Sequence, residues 1–175
     1  PVANRVGEEN GGWRVAMGTL AFERGTSTFG QQLGFQAELD RVIAAARANG
    51  AIERPALRQR IVDAWIGLRL MRFTAMRTLS AIDAHSGEPG PEASINKLFW
   101  ATWHRNLGEL AMDVLGADAT LATDGGDGAA YEDALTAFQR LFLFTRSDTI
   151  YAGSNQIQRN IIGERVLGLP AEPKV

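Results

Sequence analysis

Apolar side chains recur every three to four residues along most of this chain, and short polar stretches rich in glycine and proline interrupt them. The clearest run is Leu57, Ile61, Ala64, Leu68, Met71, Ala75, Leu79 and Ile82, whose period of about 3.6 predicts one continuous buried helical stripe. Pro55 suits the first turn of that helix, and Ser86-Gly87-Glu88-Pro89-Gly90-Pro91 breaks the chain after it. Upstream, a long helix is predicted from about Trp13 to Ala48, stopped by Asn49-Gly50. Downstream, a third helix is predicted from about Glu92 to Leu115. It turns Ile95, Leu98, Phe99, Thr102, Leu107, Leu110 and Val114 inward, and Gly116 ends it. Residues 117–128 are small, polar and glycine-rich, hence loop. A fourth helix, about Ala130–Phe144, carries Leu135, Phe138, Leu141 and Phe142. The last opens near Ser154 or Asn155, either able to cap free backbone N–H groups, and stops at Gly168 before Pro170. No strand pattern or internal repeat competes. Long helices with short connections give an all-α fold, an antiparallel helical bundle. Residues 1–12 read as a linker from an upstream domain, 13–170 as the bundle and 171–175 as a tail.

Composition narrows the function classes without choosing one. The chain has 175 residues, with 18 basic against 20 acidic and a net charge of −2, so no basic footprint invites nucleic acid. Hydrophobic residues at 45% and charged residues at 22% fit a water-exposed globular domain, and no apolar run is long enough to span a bilayer. Without cysteine there is neither disulfide nor thiolate chemistry, which leaves the redox compartment open but fits a cytoplasmic protein. The start at Pro1-Val2 lacks methionine and looks like neither a signal nor a transit peptide; the chain reads as a piece of a larger protein.

Metal and phosphate chemistry find little support. Only His85 and His104 are present and neither forms a Glu-x-x-His pair, so both read as surface or packing residues and no metal site is expected. Gly125-Gly126-Asp127-Gly128 lacks the preceding strand and following Lys-Ser/Thr of a phosphate cradle, and reads as a flexible connection. Trp13, Trp65, Trp100 and Trp103 fall in amphipathic segments, where core packing is the ordinary reading. One stripe is unusual: Glu23, Ser27, Gly30 and Gly34 share a face of the first helix. Glycines inside a helix cost about 1 kcal/mol each relative to alanine. They either admit a neighbouring helix closely or form the wall of a groove for a slender ligand with a carboxylate at one end.

The run Tyr151-Ala152-Gly153-Ser154-Asn155-Gln156-Ile157-Gln158-Arg159, continuing to Gly168-Leu169-Pro170, resembles the C-terminal signature of the flavin-dependent acyl-CoA dehydrogenases. Their usual form is Tyr-Glu-Gly-Thr-Ser-x-Ile-Gln-Arg, followed by a helix stopping at Gly-Leu-Pro. Gly11-Gly12-Trp13-Arg14-Val15-Ala16-Met17-Gly18 is similar to the segment that begins the C-terminal helical domain of that family. The resemblance covers nearly the whole chain but only about the C-terminal two-fifths of a full-length member. Ala152 stands where many members carry the catalytic glutamate. Glu23-Arg24 fall where isovaleryl-CoA and long-chain acyl-CoA dehydrogenases carry an alternative glutamate followed by arginine.

The resemblance therefore implies α,β-dehydrogenation of an acyl-CoA thioester with FAD as cofactor, Glu23 as base and the hydride passing to the flavin N5. It places Arg24, Tyr151, Ala152 and Gly153 on the substrate, the Ala152 backbone N–H on its developing charge, and Ser154 and Gln156 on the flavin. For Ser154, helix capping is the competing role. It also implies an electron-transfer flavoprotein as electron acceptor, a homo- or hetero-tetramer, and a piece inactive on its own. Two departures stand out: Arg47-Ala48-Asn49-Gly50-Ala51 replaces the usual Arg-x-x-Phe-Gly, and Leu115-Gly116-Ala117-Asp118-Ala119 replaces Gly-Gly-x-Gly. A non-catalytic subunit completing a partner's flavin site, or an acyl-CoA oxidase, remain the alternatives.

Overall fold

The computed structural model describes residues 1–26, 28–84, 93–121 and 135–171, without the side chains of 20–26, 28, 29, 82–84 and 93. Among the described residues six α-helices follow a short 3-10 turn at Val2–Asn4: α1 (Gly12–Thr26), α2 (Thr28–Ala48), α3 (Pro55–Ala84), α4 (Ala93–Leu115), α5 (Ala137–Asp148) and α6 (Asn155–Ile161). Among the described residues there is no strand, and the bundle is the predicted all-α architecture.

Helix α4 is the hub, packing against α1, α2, α3, α5 and α6. Its residues Trp103, Leu107, Leu110 and Val114 step at i, i+4, i+7 and i+11, as do Phe35, Leu39, Val42 and Ala46 on α2. Both stripes meet Leu57, Ile61, Leu68 and Met71 of α3 and Leu141 of α5 in one core. Two glycines set how closely the helices approach. A Cβ on Gly67 of α3 would lie 2.6 Å from the Trp103 ring, whose Nε1–H donates to the Ala64 carbonyl at 2.8 Å. A Cβ on Gly108 of α4 would lie 2.5 Å from Thr145 Oγ1 and 3.1 Å from the Phe142 Cα on α5.

The stop at Asn49-Gly50 forms as predicted. Gly50 takes φ +78°, while the Asn49 side chain accepts from Ala51 N–H at 3.0 Å and donates to the Val114 carbonyl at 2.8 Å. That last bond ties the end of α2 to the end of α4.

Several boundaries differ from the sequence reading. The first predicted helix corresponds to α1 and α2, which flank Ser27; Ser27 itself lies outside the described residues. The fourth starts at Ala137 rather than near Ala130, because Thr136 closes a capping box with Gln139. Residues 122–134, with the Gly125–Gly128 loop, lie outside the described residues. The last helix is α-helical only to Ile161 and continues as a π-helical turn over Ile162–Val166. Ile95 and Phe99, expected inward, are 43% and 40% exposed. The apolar stripe of α4 is wider than the core it faces, and these two residues line an open groove beside Ile66 and Leu70 of α3. Leu79 is exposed as well. Of the four tryptophans only Trp103 is buried; Trp100 is half-buried, and Trp13 and Trp65 face outward.

Candidate functional site

The residues between α5 and α6 form a tight loop. Ile150 and Tyr151 donate their N–H groups to the Ser147 carbonyl, at 2.9 and 3.0 Å, and Asn155 N–H reaches the Thr149 carbonyl at 3.1 Å. Between these anchors Ala152 has φ +52° and Gly153 φ +91°. Left-handed backbone is routine for glycine and uncommon for alanine. Gly153 is required twice over, since a Cβ there would also lie 2.6 Å from Gln158 Nε2. The same Nε2 donates to the Ala152 carbonyl at 3.3 Å from the buried Gln158. The Ala152 N–H itself has no acceptor among the described residues, so the turn offers an unpaired donor at the surface.

Ser154 caps α6, its Oγ accepting from Ile157 N–H at 3.4 Å. The capping role expected as the alternative for Ser154 is therefore realised, and its hydroxyl proton stays free to donate. Gln156, two residues on, is exposed. Asn155 donates to Thr102 Oγ1 on α4 at 3.2 Å, whereas its buried Oδ1 has no partner among the described residues. Tyr151, 44% exposed, packs its ring against Trp100 at 6.4 Å between centroids, with the Lys97 ammonium over both rings. Trp100 in turn meets Phe35 at 6.1 Å, so an aromatic row runs from α2 to the loop.

Beneath that row lies a charged one that the sequence reading missed. His104 of α4 is buried, with Nε2 2.7 Å from Glu38 Oε2 of α2 and Nδ1 2.7 Å from Asp148 Oδ2 at the end of α5. Tyr151 Oη donates to Asp148 Oδ1 at 2.9 Å, and Lys97 donates to the Asp148 backbone carbonyl, a free group at the C-terminus of α5. Burial pushes the Lys97 pKa down against the pull of Asp148. Burial, then the bond to Asp148, raises the Tyr151 phenol to about 12. His104 is thus no passive packing residue. Glu38, His104 and Asp148 lie on three helices, 44 and 66 residues apart along the chain. The one local signal was Lys97 and His104, seven apart on one helical face.

The structure brings Tyr151, Ala152, Gly153, Ser154 and Gln156 together at one end of the bundle. Glu23 and Arg24 lie on α1, which packs against α4 and α2, and their side chains fall outside the described residues. His85 is outside them too. Gly30 and Gly34 are exposed, and a Cβ on either would meet nothing within 4 Å. No described helix of this chain lies against them. Among the described residues no group of His, Asp and Glu converges on a metal position; Glu38 and Asp148 sit on opposite nitrogens of one imidazole. No described helix is long and apolar enough to cross a membrane.

This geometry agrees with what the chain is similar to. Residues 10–167 match the family described as acyl-CoA dehydrogenase, C-terminal domain. The chain belongs to the acyl-CoA dehydrogenase family. It is 51% identical to acyl-CoA dehydrogenase IpdE1 of Mycobacterium tuberculosis over 169 residues, covering 97% of this chain and 41% of that protein. The namesake of Mycolicibacterium smegmatis is 49% identical, with 97% and 40% covered. Among solved structures, the ChsE4-ChsE5 complex from Mycobacterium tuberculosis superimposes with a TM-score of 0.73 at 28% identity, over 98% of this chain and 44% of that one. The Tcur3481-Tcur3483 steroid ACAD superimposes at 0.77 over 98% and 43%, at 24% identity, a likeness of fold. The chain thus spans about two-fifths of the relatives it matches.

Acyl-CoA dehydrogenases are oxidoreductases that generally depend on a flavin. The loop fits one face of such a site: an unpaired N–H at Ala152, an orphaned buried acceptor at Asn155 Oδ1 and an exposed amide at Gln156 stand within five residues.

Proposed function

We propose that this chain is the catalytic C-terminal domain of an FAD-dependent acyl-CoA dehydrogenase that removes the α- and β-hydrogens of an acyl-CoA thioester. The observation that carries this reading is the Ala152 N–H, unpaired in a left-handed turn at the head of the Tyr-x-Gly-Ser run. Such a donor is aimed before reaction begins and stabilises charge that develops on a thioester oxygen without reorganising. Alanine serves for this as well as glutamate, because the donor belongs to the backbone.

The side chain of Ala152 cannot accept a proton, so the base is assigned to Glu23, and Arg24 beside it to the substrate. The exposed glycines of α2 support a groove leading away from that carboxylate. The ring of Tyr151 lines the acyl pocket and Gly153 permits the turn. Ser154 and Gln156 would help hold the flavin, offering a hydroxyl donor and an amide. Bound FAD would supply the hydride acceptor, and an electron-transfer flavoprotein is the oxidant the reading implies for the next half-reaction. The α-proton of a thioester is weakly acidic, so the groove must exclude water around the carboxylate; the remaining walls then come from outside this chain.

A second reading is favoured by the same Ala152 together with the likeness to a chain of a two-component complex. In it the domain completes a partner's flavin site without a base of its own. Anaerobic titration of the full-length flavoprotein with straight-chain, branched and ring-bearing acyl-CoA thioesters separates the two. Bleaching of the flavin absorbance by one of them supports the first. Bound flavin that none of them bleaches replaces it with the second.

A further inference from the structure

The proposed reaction leaves the charged row beneath the loop unused. His104 is 5% exposed, and each of its ring nitrogens lies 2.7 Å from a carboxylate oxygen. A neutral imidazole has a single N–H and can donate to only one of two such acceptors; the other contact would set lone pair against lone pair. Two N–H donors satisfy both. Burial disfavours that charge, but the bonds to Asp148 and Glu38 and their attraction together outweigh it and raise the His104 pKa. Among the described residues, the charged and titratable groups around the ring are Glu38 from α2, Asp148 from α5, Tyr151 behind Asp148, and Lys97 from α4 itself. Phe35, 4.3 Å away, and Trp103, at 6.3 Å, cover the ring.

Asp148 is fully buried and divides its two oxygens between His104 and Tyr151. Among the described residues the loop that follows is also tied by two main-chain bonds at Ser147, one at Thr149, the contact from Gln158, the Asn155–Thr102 bond and the packing of the Tyr151 ring on Trp100 and Lys97. A left-handed alanine is strained by its Cβ against the backbone, a cost those ties must offset.

We propose that His104 is a positioning residue. As an imidazolium it anchors Asp148, Asp148 holds the Tyr151 hydroxyl, and the loop thereby keeps Ala152 in the turn that frees its N–H. The catalytic consequence rests on the function proposed above; the anchoring rests on the hydrogen-bond chain alone.

The test is a double-mutant cycle in the full-length flavoprotein: Tyr151→Phe, His104→Gln and both together. Tyr151→Phe keeps the ring that lines the pocket and removes only the bond to Asp148. Hydrogen exchange of the Tyr151 and Asn155 amides should speed up by about 10-fold in each single variant, while core amides of α2 and α4 keep their protection in Tyr151→Phe. The double variant should be no faster than the faster single one, as for residues acting through one chain. At saturating acyl-CoA, the flavin-reduction rate should fall by about 10-fold or more with KM little changed. Unchanged exchange in Tyr151→Phe overturns the proposal, as do effects that multiply in the double variant. If His104→Gln does not fold, Tyr151→Phe alone decides. Exchange also decides in a protein whose flavin no acyl-CoA reduces, so failure of the catalytic reading is seen separately.

Discussion

Ala152 and Gly153 carry neighbouring left-handed conformations for different reasons, and substitution separates them. Ala152 has φ +52° and an exposed side chain. Ala152→Gly should therefore raise stability by about 0.5–1 kcal/mol, the left-handed cost of alanine less the added entropy of an unfolded glycine. Gly153→Ala adds both a strained φ and a clash with the Gln158 amide and should cost about 1–3 kcal/mol. Urea unfolding of the full-length protein reads both; a neutral Gly153→Ala would contradict the geometry. His104 makes a prediction about pH. Its folded pKa is raised above the unfolded value of about 6.5, so its contribution is complete below that pH and is lost as pH rises through the folded value. Stability measured upward from about pH 6 should fall across that window, and His104→Gln should flatten the fall. Identical profiles in the two proteins would rule the imidazolium out.

At the scale of elements, glycines mark where helices touch and where they do not. Gly108→Ala forces α4 and α5 apart against Thr145 and the Phe142 backbone and should destabilise by about 1–3 kcal/mol. Gly34→Ala, with open space around the new methyl, should stabilise by up to about 1 kcal/mol through helix propensity. Thermal unfolding of both variants checks the contrast, and a stabilising Gly108→Ala would contradict the α4–α5 packing. The helices themselves were legible because Leu57, Ile61, Leu68, Met71 and Ala75 repeat at the helical period and are all buried. The Thr136 capping box and the π-helical turn around Gly163 leave no periodic trace, so those boundaries moved. Ile95 and Phe99 carry the right period and the wrong inference, since periodicity finds an apolar face without naming what covers it. The terminal loop was legible as a motif. Its support was not: Glu38, His104 and Asp148 meet only through tertiary packing.

At the scale of the whole molecule, this chain is about two-fifths of the length of the relatives it matches. The 175 residues alone should retain no FAD, checked by the absorbance of the purified domain. Helix α3 exposes Trp65, Ile66, Leu70, Phe73 and Met76, more apolar surface than a lone helix face usually leaves open. The full-length protein should self-associate or pair through it, and Phe73→Glu should give smaller species by light scattering with an unchanged helical signal; unchanged size would place the interface elsewhere. The proposed dehydrogenation turns on Glu23, because Ala152 leaves the terminal motif without a base. The direct measurement is anaerobic flavin reduction by acyl-CoA in full-length Glu23→Gln, whose amide matches the carboxylate in size but accepts no proton. With Glu23 as the base, this variant should keep its fold and its flavin, lose about 10²–10⁴-fold in the reduction rate, and recover part of it when Ala152→Glu is added. Reduction of Glu23→Gln at the rate of the unsubstituted protein would contradict that role and leave the domain without a base.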